Sequence, residues 1–99
     1  MAEFFLTNKA VEDISKIWDY TFEVWSENQA DKYYQLLIDS CQEISNNPNI
    51  GKNYSEISTE ILGLQVGKNI ILYRVMKPKE IEVVRILHGR MDLKKRIGE

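Results

Sequence analysis

The chain has 99 residues, room for one domain of ordinary size and no second; at that length folding buries roughly 65% of the surface the unfolded chain exposes, enough for a core without disulfides or metal. Hydrophobic residues at 43% and charged residues at 28% are ordinary for a soluble globular domain, and no apolar run approaches the roughly 18 residues of a membrane span. Residues 1–9 lack the basic leader and apolar length of a signal peptide, and with Cys41 and His88 as the single Cys and single His there is no disulfide framework and no Cys/His zinc site, so a cytoplasmic protein without metal or cofactor is expected.

Charge is unevenly spread. Residues 1–67 hold four Lys against eleven acids, a net −7, whereas residues 68–99 hold nine Lys and Arg against four acids, a net +5. A basic third on an otherwise acidic small domain suits a polyanion or an acidic protein segment.

In chain order, residues 3–6 form a short predicted strand, too short to stand alone but able to pair with a sheet edge. From Asn8 to Trp25 the apolar residues Ala10, Val11, Ile14, Ile17, Trp18, Phe22 and Trp25 recur at three- and four-residue spacing, which predicts a helix with one buried stripe, N-capped by Thr7. Both tryptophans read as core, the other reading being an anchor on the helix face. Ser26 with Gln29 three residues on is a capping box, so a second helix starts there, buries Ala30, Tyr33, Tyr34, Leu37, Ile38, Cys41 and Ile44, and ends before Pro48. The two helices form an antiparallel hairpin. Residues 49–60 lack periodicity and read as a connecting loop. Leu62, Leu64 and Val66 then alternate, residues 69–76 are rich in β formers, residues 77–79 supply a turn, and residues 81–87 are β-branched and apolar. The expected fold class is α+β, in the order β-α-α-β-β-β: an N-terminal strand, the helical hairpin, then a three-stranded antiparallel meander, as one sheet covered on one face by the helices.

The strands carry apolar residues on both faces. Ile70, Leu72, Arg74 and Met76 lie opposite Ile71, Tyr73 and Val75, and Ile81, Val83, Arg85 and Leu87 lie opposite Glu82, Val84 and Ile86. A helical hairpin covers one face only, so the sheet must curl strongly or a second chain must lie across it.

Four segments together resemble a known family: residues 10–20 in the first helix, Asn47-Pro48 with Gly51 after the second, residues 71–75 in the central strand, and above all residues 84–92 (Val-Arg-Ile-Leu-His-Gly-Arg-Met-Asp), the most specific of the four. The chain is similar over nearly its whole length to toxins of the RelE/ParE superfamily, and within it to the ParE branch. That resemblance implies the toxin of a type II toxin–antitoxin pair that poisons DNA gyrase and so stops replication, held silent by a cognate ParD-like antitoxin. It further implies a hetero-oligomer with that antitoxin, contact with operator DNA only through it, and no membrane. The RelE branch, which cuts messenger RNA on the ribosome with cationic side chains and a Tyr or His acid, is the alternative. Where that branch places a strand arginine and a terminal tyrosine, this chain has Ile70 and Gly89. No catalytic residue is therefore assigned, and Arg74, Arg85, His88, Arg90, Lys94, Lys95 and Arg96 are the candidate contacts for target or antitoxin. The guanidinium of Arg85 needs a carboxylate or carbonyl from this chain or from a partner. His88 is either a hydrogen-bonding strap or an acid.

Overall fold

A computed structural model describes residues 2–54 and 58–88. Strand β1 (Glu3–Leu6) leads into helix α1 (Asn8–Val24) and helix α2 (Glu27–Asn46); a 3-10 turn (Pro48–Ile50) and strands β2 (Lys52–Asn53), β3 (Leu62–Val66), β4 (Asn69–Lys77) and β5 (Glu80–His88) follow. The strands make one mixed sheet in the order β1-β5-β4-β3-β2. The meander β3-β4-β5 is antiparallel, and β1 pairs parallel with β5, Phe4 opposite Ile81. The sheet thus has five strands where four were expected. The extra one is β2, inside the stretch read as a loop: two residues facing Gly63 and Leu62 are too few for alternation to show.

Local chemistry sets the ends of the elements. The Thr7 hydroxyl accepts the Ala10 N–H at 3.1 Å and donates to the Val84 carbonyl at 2.7 Å, so one residue caps α1 and fastens its start to β5. Ser26 caps α2 through the Gln29 N–H at 3.1 Å. Two-residue turns join β3 to β4 and β4 to β5, with Gly67 (φ 58°) and Lys79 (φ 62°) in the left-handed region that such turns require. At Gly67 a side chain is doubly excluded, because a Cβ there would sit 2.8 Å from the Tyr33 ring.

The main core lies between the helices and one sheet face: Ala10, Ile14, Leu37, Cys41 and Ile44 against Val66, Ile71, Tyr73, Ile81, Val83 and Ile86. Tyr73 spans it, its buried hydroxyl donating to the Pro48 carbonyl at 2.6 Å and accepting the Gly51 N–H at 3.0 Å, which ties the turn after α2 to the sheet. Burial, partly offset by the Gly51 hydrogen bond, pushes the Tyr73 phenol above its usual range.

Three expectations need correction. First, the register of β4 against β5 slips at Val84, so that Leu72 faces Arg85 while Tyr73 faces Val83. This bulge reverses the alternation: Ile86 joins Ile81 and Val83 on the helix side, and Leu87 goes to the opposite face. Second, the other sheet face is not left for a second chain to cover at its centre. Ile70, Leu72 and Leu87 are buried there with Ile61, and Tyr54 and Val84 pack against them. The Tyr54 ring lies directly over Gly63, where a Cβ would approach it to 2.6 Å. Third, Trp25 is not core but 69% exposed, and Val11, Phe22 and Tyr34 of the two expected stripes are exposed as well; in α1 the buried residues are Ala10 and Ile14, in its first turns.

Candidate functional site

Of the seven candidate contacts, Arg74, Arg85 and His88 fall among the described residues; Arg90, Lys94, Lys95 and Arg96 lie outside them. The three are held in three different settings.

Arg85 is turned toward α1. Its Nε and Nη2 donate to the two carboxylate oxygens of Asp13 at 2.8 and 3.0 Å, and the same Asp13 Oδ2 accepts the Ile86 N–H at 3.0 Å. Both side chains are nearly enclosed, 12% and 11% exposed. The reason is geometric. β1 stops opposite Val83, so the edge of β5 beyond that point would show its backbone to solvent. The first turns of α1 lie along this bare edge instead, and Asp13 satisfies the edge amide while neutralising the arginine that the bulge brings to it. Of the two sources of a partner for Arg85, the chain itself supplies one.

Arg74 lies on the opposite face, alternating with Ile70 and Leu72, and is 41% exposed. Its Nε donates to Glu82 at 2.9 Å, and Glu60 stands 3.9 Å away. The pair is cross-strand, since Arg74 and Glu82 face each other in the β4-β5 register. His88 is half-buried at the other end of that ladder, opposite Asn69. Arg74 and His88 are thus separated by five positions of β4, roughly 17 Å at about 3.4 Å per residue. The structure does not gather Arg74, Arg85 and His88 around one reacting atom; it lays them out along β5 and its neighbour. Among the described residues no group of three or more His, Cys, Asp or Glu is placed to hold a metal ion, and no helix is long and apolar enough to cross a membrane. Cys41 is buried in the main core, and burial pushes its thiol up to about 12, so it is a packing residue without thiolate chemistry at neutral pH.

The surface that the periodicity missed is the outer side and end of the helical hairpin. Trp18 is half-buried and stacks on Phe22, ring centroids 5.3 Å apart and planes 13° from parallel, while its indole N–H donates to Asp31 of α2 at 3.0 Å. Phe22, Trp25 and Tyr34 are exposed, as are Tyr20 and Val24 farther round α1. A signal was present in the sequence. At about 100° per residue, Ala10, Ile14 and Ile17 fall within roughly 60° of one another, but Trp18, Val11 and Phe22 lie roughly 80–120° from Ala10, too wide for one buried stripe.

Residues 4–93 match the family described as ParE toxin of type II toxin-antitoxin system, parDE. Toxin ParE1 of Mycobacterium tuberculosis (strain ATCC 25618 / H37Rv) is 34% identical over 92 residues, covering 93% of this chain and 94% of that protein. Toxin ParE1 of Caulobacter vibrioides (strain ATCC 19089 / CIP 103742 / CB 15) is 26% identical over 98 residues, covering 99% and 100%. The fold superposes on a structure titled "Chromosomal ParDE TA system from P. aeruginosa" with a TM-score of 0.74 at 23% identity, over 89% of this chain and 96% of that one.

Proposed function

The chain belongs to the ParE toxin family of type II toxin–antitoxin systems, in the ParE branch of the RelE/ParE superfamily, and from that premise we propose that it stops growth by inhibiting DNA gyrase and is silenced by a ParD-like antitoxin. The family match over residues 4–93 carries this reading. The layout of the basic groups supports it against the alternative. Cutting messenger RNA needs a base, an acid and a phosphorane-stabilising cation converging on one phosphate. Here Arg85 is neutralised by Asp13 at 2.8 Å, Arg74 is paired with Glu82, and His88 lies at the far end of the ladder. Blocking a target demands only a stable face of suitable charge. In this reading toxicity resides in the basic C-terminal third without acid–base catalysis. Arg74, Arg90, Lys94, Lys95 and Arg96 meet gyrase, its DNA or the antitoxin, while Arg85 holds β5 to α1 and so keeps that third in place.

Inducing the gene in growing cells tests the reading. Gyrase poisoning yields linearised DNA and the SOS response before protein synthesis falls, and co-expression of the neighbouring small open reading frame abolishes both. Codon-biased messenger cleavage with translation stopping first would assign the chain to the ribonuclease mechanism instead.

A further inference from the structure

The exposed aromatic surface of the helical hairpin has a definite shape and charge. Between α1 and α2 runs an open groove of about 320 Å³, lined by Ser15, Trp18 and Asp19 on one side and Asp31 and Tyr34 on the other. Its walls are therefore two aromatic rings and two carboxylates, and the Trp18 ring is fixed by its stack on Phe22 and its hydrogen bond to Asp31. The turn between the helices is acidic: residues 17–31, bordered by Lys16 and Lys32, contain Asp19, Glu23, Glu27 and Asp31 and no Lys or Arg, together with the exposed Tyr20, Phe22, Val24 and Trp25.

We propose that this groove receives an arginine or lysine side chain of the antitoxin, whose apolar neighbours cover the aromatic end of the hairpin. The inference rests on the toxin–antitoxin reading above and adds to it the place and the chemistry of one contact. A cation is attracted both by the electron-rich faces of Trp and Tyr and by the carboxylates beside them, and its aliphatic stem matches the apolar walls. Anions and nucleic acid are repelled. For the same reason gyrase, which works with DNA bound, is the poorer occupant: an acidic aromatic surface turned toward a DNA gate meets the phosphates' own sign. The basic third suits that target, and the hairpin groove is left to a partner without DNA at the contact. The antitoxin segment is then required to carry positive charge and apolar residues in alternation, not acid alone.

The test uses the intact toxin and the antitoxin encoded beside it, with the dissociation constant measured at low and high ionic strength. Asp31→Asn keeps an oxygen to accept the Trp18 indole N–H and removes only the charge, so combined with Asp19→Asn it should leave the melting curve in place. The expected result is about tenfold weaker antitoxin binding at low salt, a smaller salt dependence than the parent shows, and a larger loss for Asp31→Lys. Replacing the antitoxin's basic residues by Gln one at a time should identify one whose loss no longer adds to that of the toxin variant. Should the double variant lower thermal stability, Asp19→Asn alone decides by the same measurement. Antitoxin affinity within twofold of the parent overturns the inference and leaves the toxin–antitoxin reading standing. Intact antitoxin binding with lost gyrase inhibition also overturns it, by assigning the groove to the target. Failure of the parent to bind the antitoxin at all overturns both.

Discussion

Asp13 is the residue whose removal the structure makes most costly for its size. Its carboxylate accepts from Arg85 Nε, Arg85 Nη2 and the Ile86 amide, at 2.8, 3.0 and 3.0 Å. Asp13→Ala takes the bidentate carboxylate away from a guanidinium that is only 12% exposed and strips the edge amide of its acceptor. Breaking a buried pair from one side costs about 3–5 kcal/mol, and an orphaned amide adds to it. The residual access of Arg85 to water offsets some of this, so we expect about 4 kcal/mol. For a domain of this size that lowers the melting temperature by roughly 15–25 °C. Asp13→Asn retains an oxygen for the Ile86 amide and should lose about half as much. Asp13→Leu combined with Arg85→Met, which removes both charges together, should cost less than the two single changes added, because neither leaves the other stranded. Protein from cell-free synthesis, melted by circular dichroism, gives all three values. A loss below about 1 kcal/mol for Asp13→Ala would refute the argument that this pair closes the bare edge of β5.

Other expectations follow from the same geometry. Leu37→Ala, at the centre of the main core with no exposure, should cost about 2–5 kcal/mol, whereas Trp25→Ala, 69% exposed, should change stability by less than about 0.5 kcal/mol; paired urea titrations check the contrast. Tyr73→Phe removes the hydroxyl that serves both Pro48 and Gly51 inside the protein, and a loss of about 1–3 kcal/mol is expected by the same method. Because burial raises the Cys41 thiol from 9.0 to about 12, the unfolded chain releases that proton from about pH 9 while the folded chain keeps it. Unfolding then releases a proton, so stability is full below about pH 9 and falls as pH rises toward 12. Melting temperatures of the parent and Cys41→Ala across pH 8–11 should converge as pH rises, and iodoacetamide should label Cys41 only in denaturant.

The sequence was most readable where a rule acts over short range. Thr7, Ser26 and Pro48 mark helix ends through single side chains, and the structure uses each where expected. The apolar alternation of residues 62–87 marks the meander, though not its bulge. A one-residue slip at Val84 leaves composition unchanged and inverts which of Ile86 and Leu87 faces the helices, so only the register reveals it. The Asp13–Arg85 pair was half legible: the guanidinium required a carboxylate or carbonyl from this chain or a partner, but the one it finds is 72 residues away in the chain and depends on where β1 ends. The cover of the second sheet face was not legible, since Tyr54, whose ring lies over Gly63, sits in the aperiodic stretch 49–60, and Ile61 falls between that stretch and the alternation that starts at Leu62. The aromatic outer side of the hairpin was visible in the spacing but was merged with the buried stripe, because Trp and Phe are more often core than surface.

Gyrase supercoiling with purified protein beside a translating-ribosome cleavage assay measures directly whether this chain disables gyrase by binding and not by catalysis. Action by binding alone predicts inhibited supercoiling with intact messenger. It further predicts near-parental inhibition by His88→Gln once its melting curve shows a folded chain, and weakened inhibition when Arg90, Lys94 and Lys95 are reversed to Glu, most of all at low ionic strength. Messenger cleavage that vanishes in His88→Gln, with supercoiling untouched by the parent protein, would contradict it.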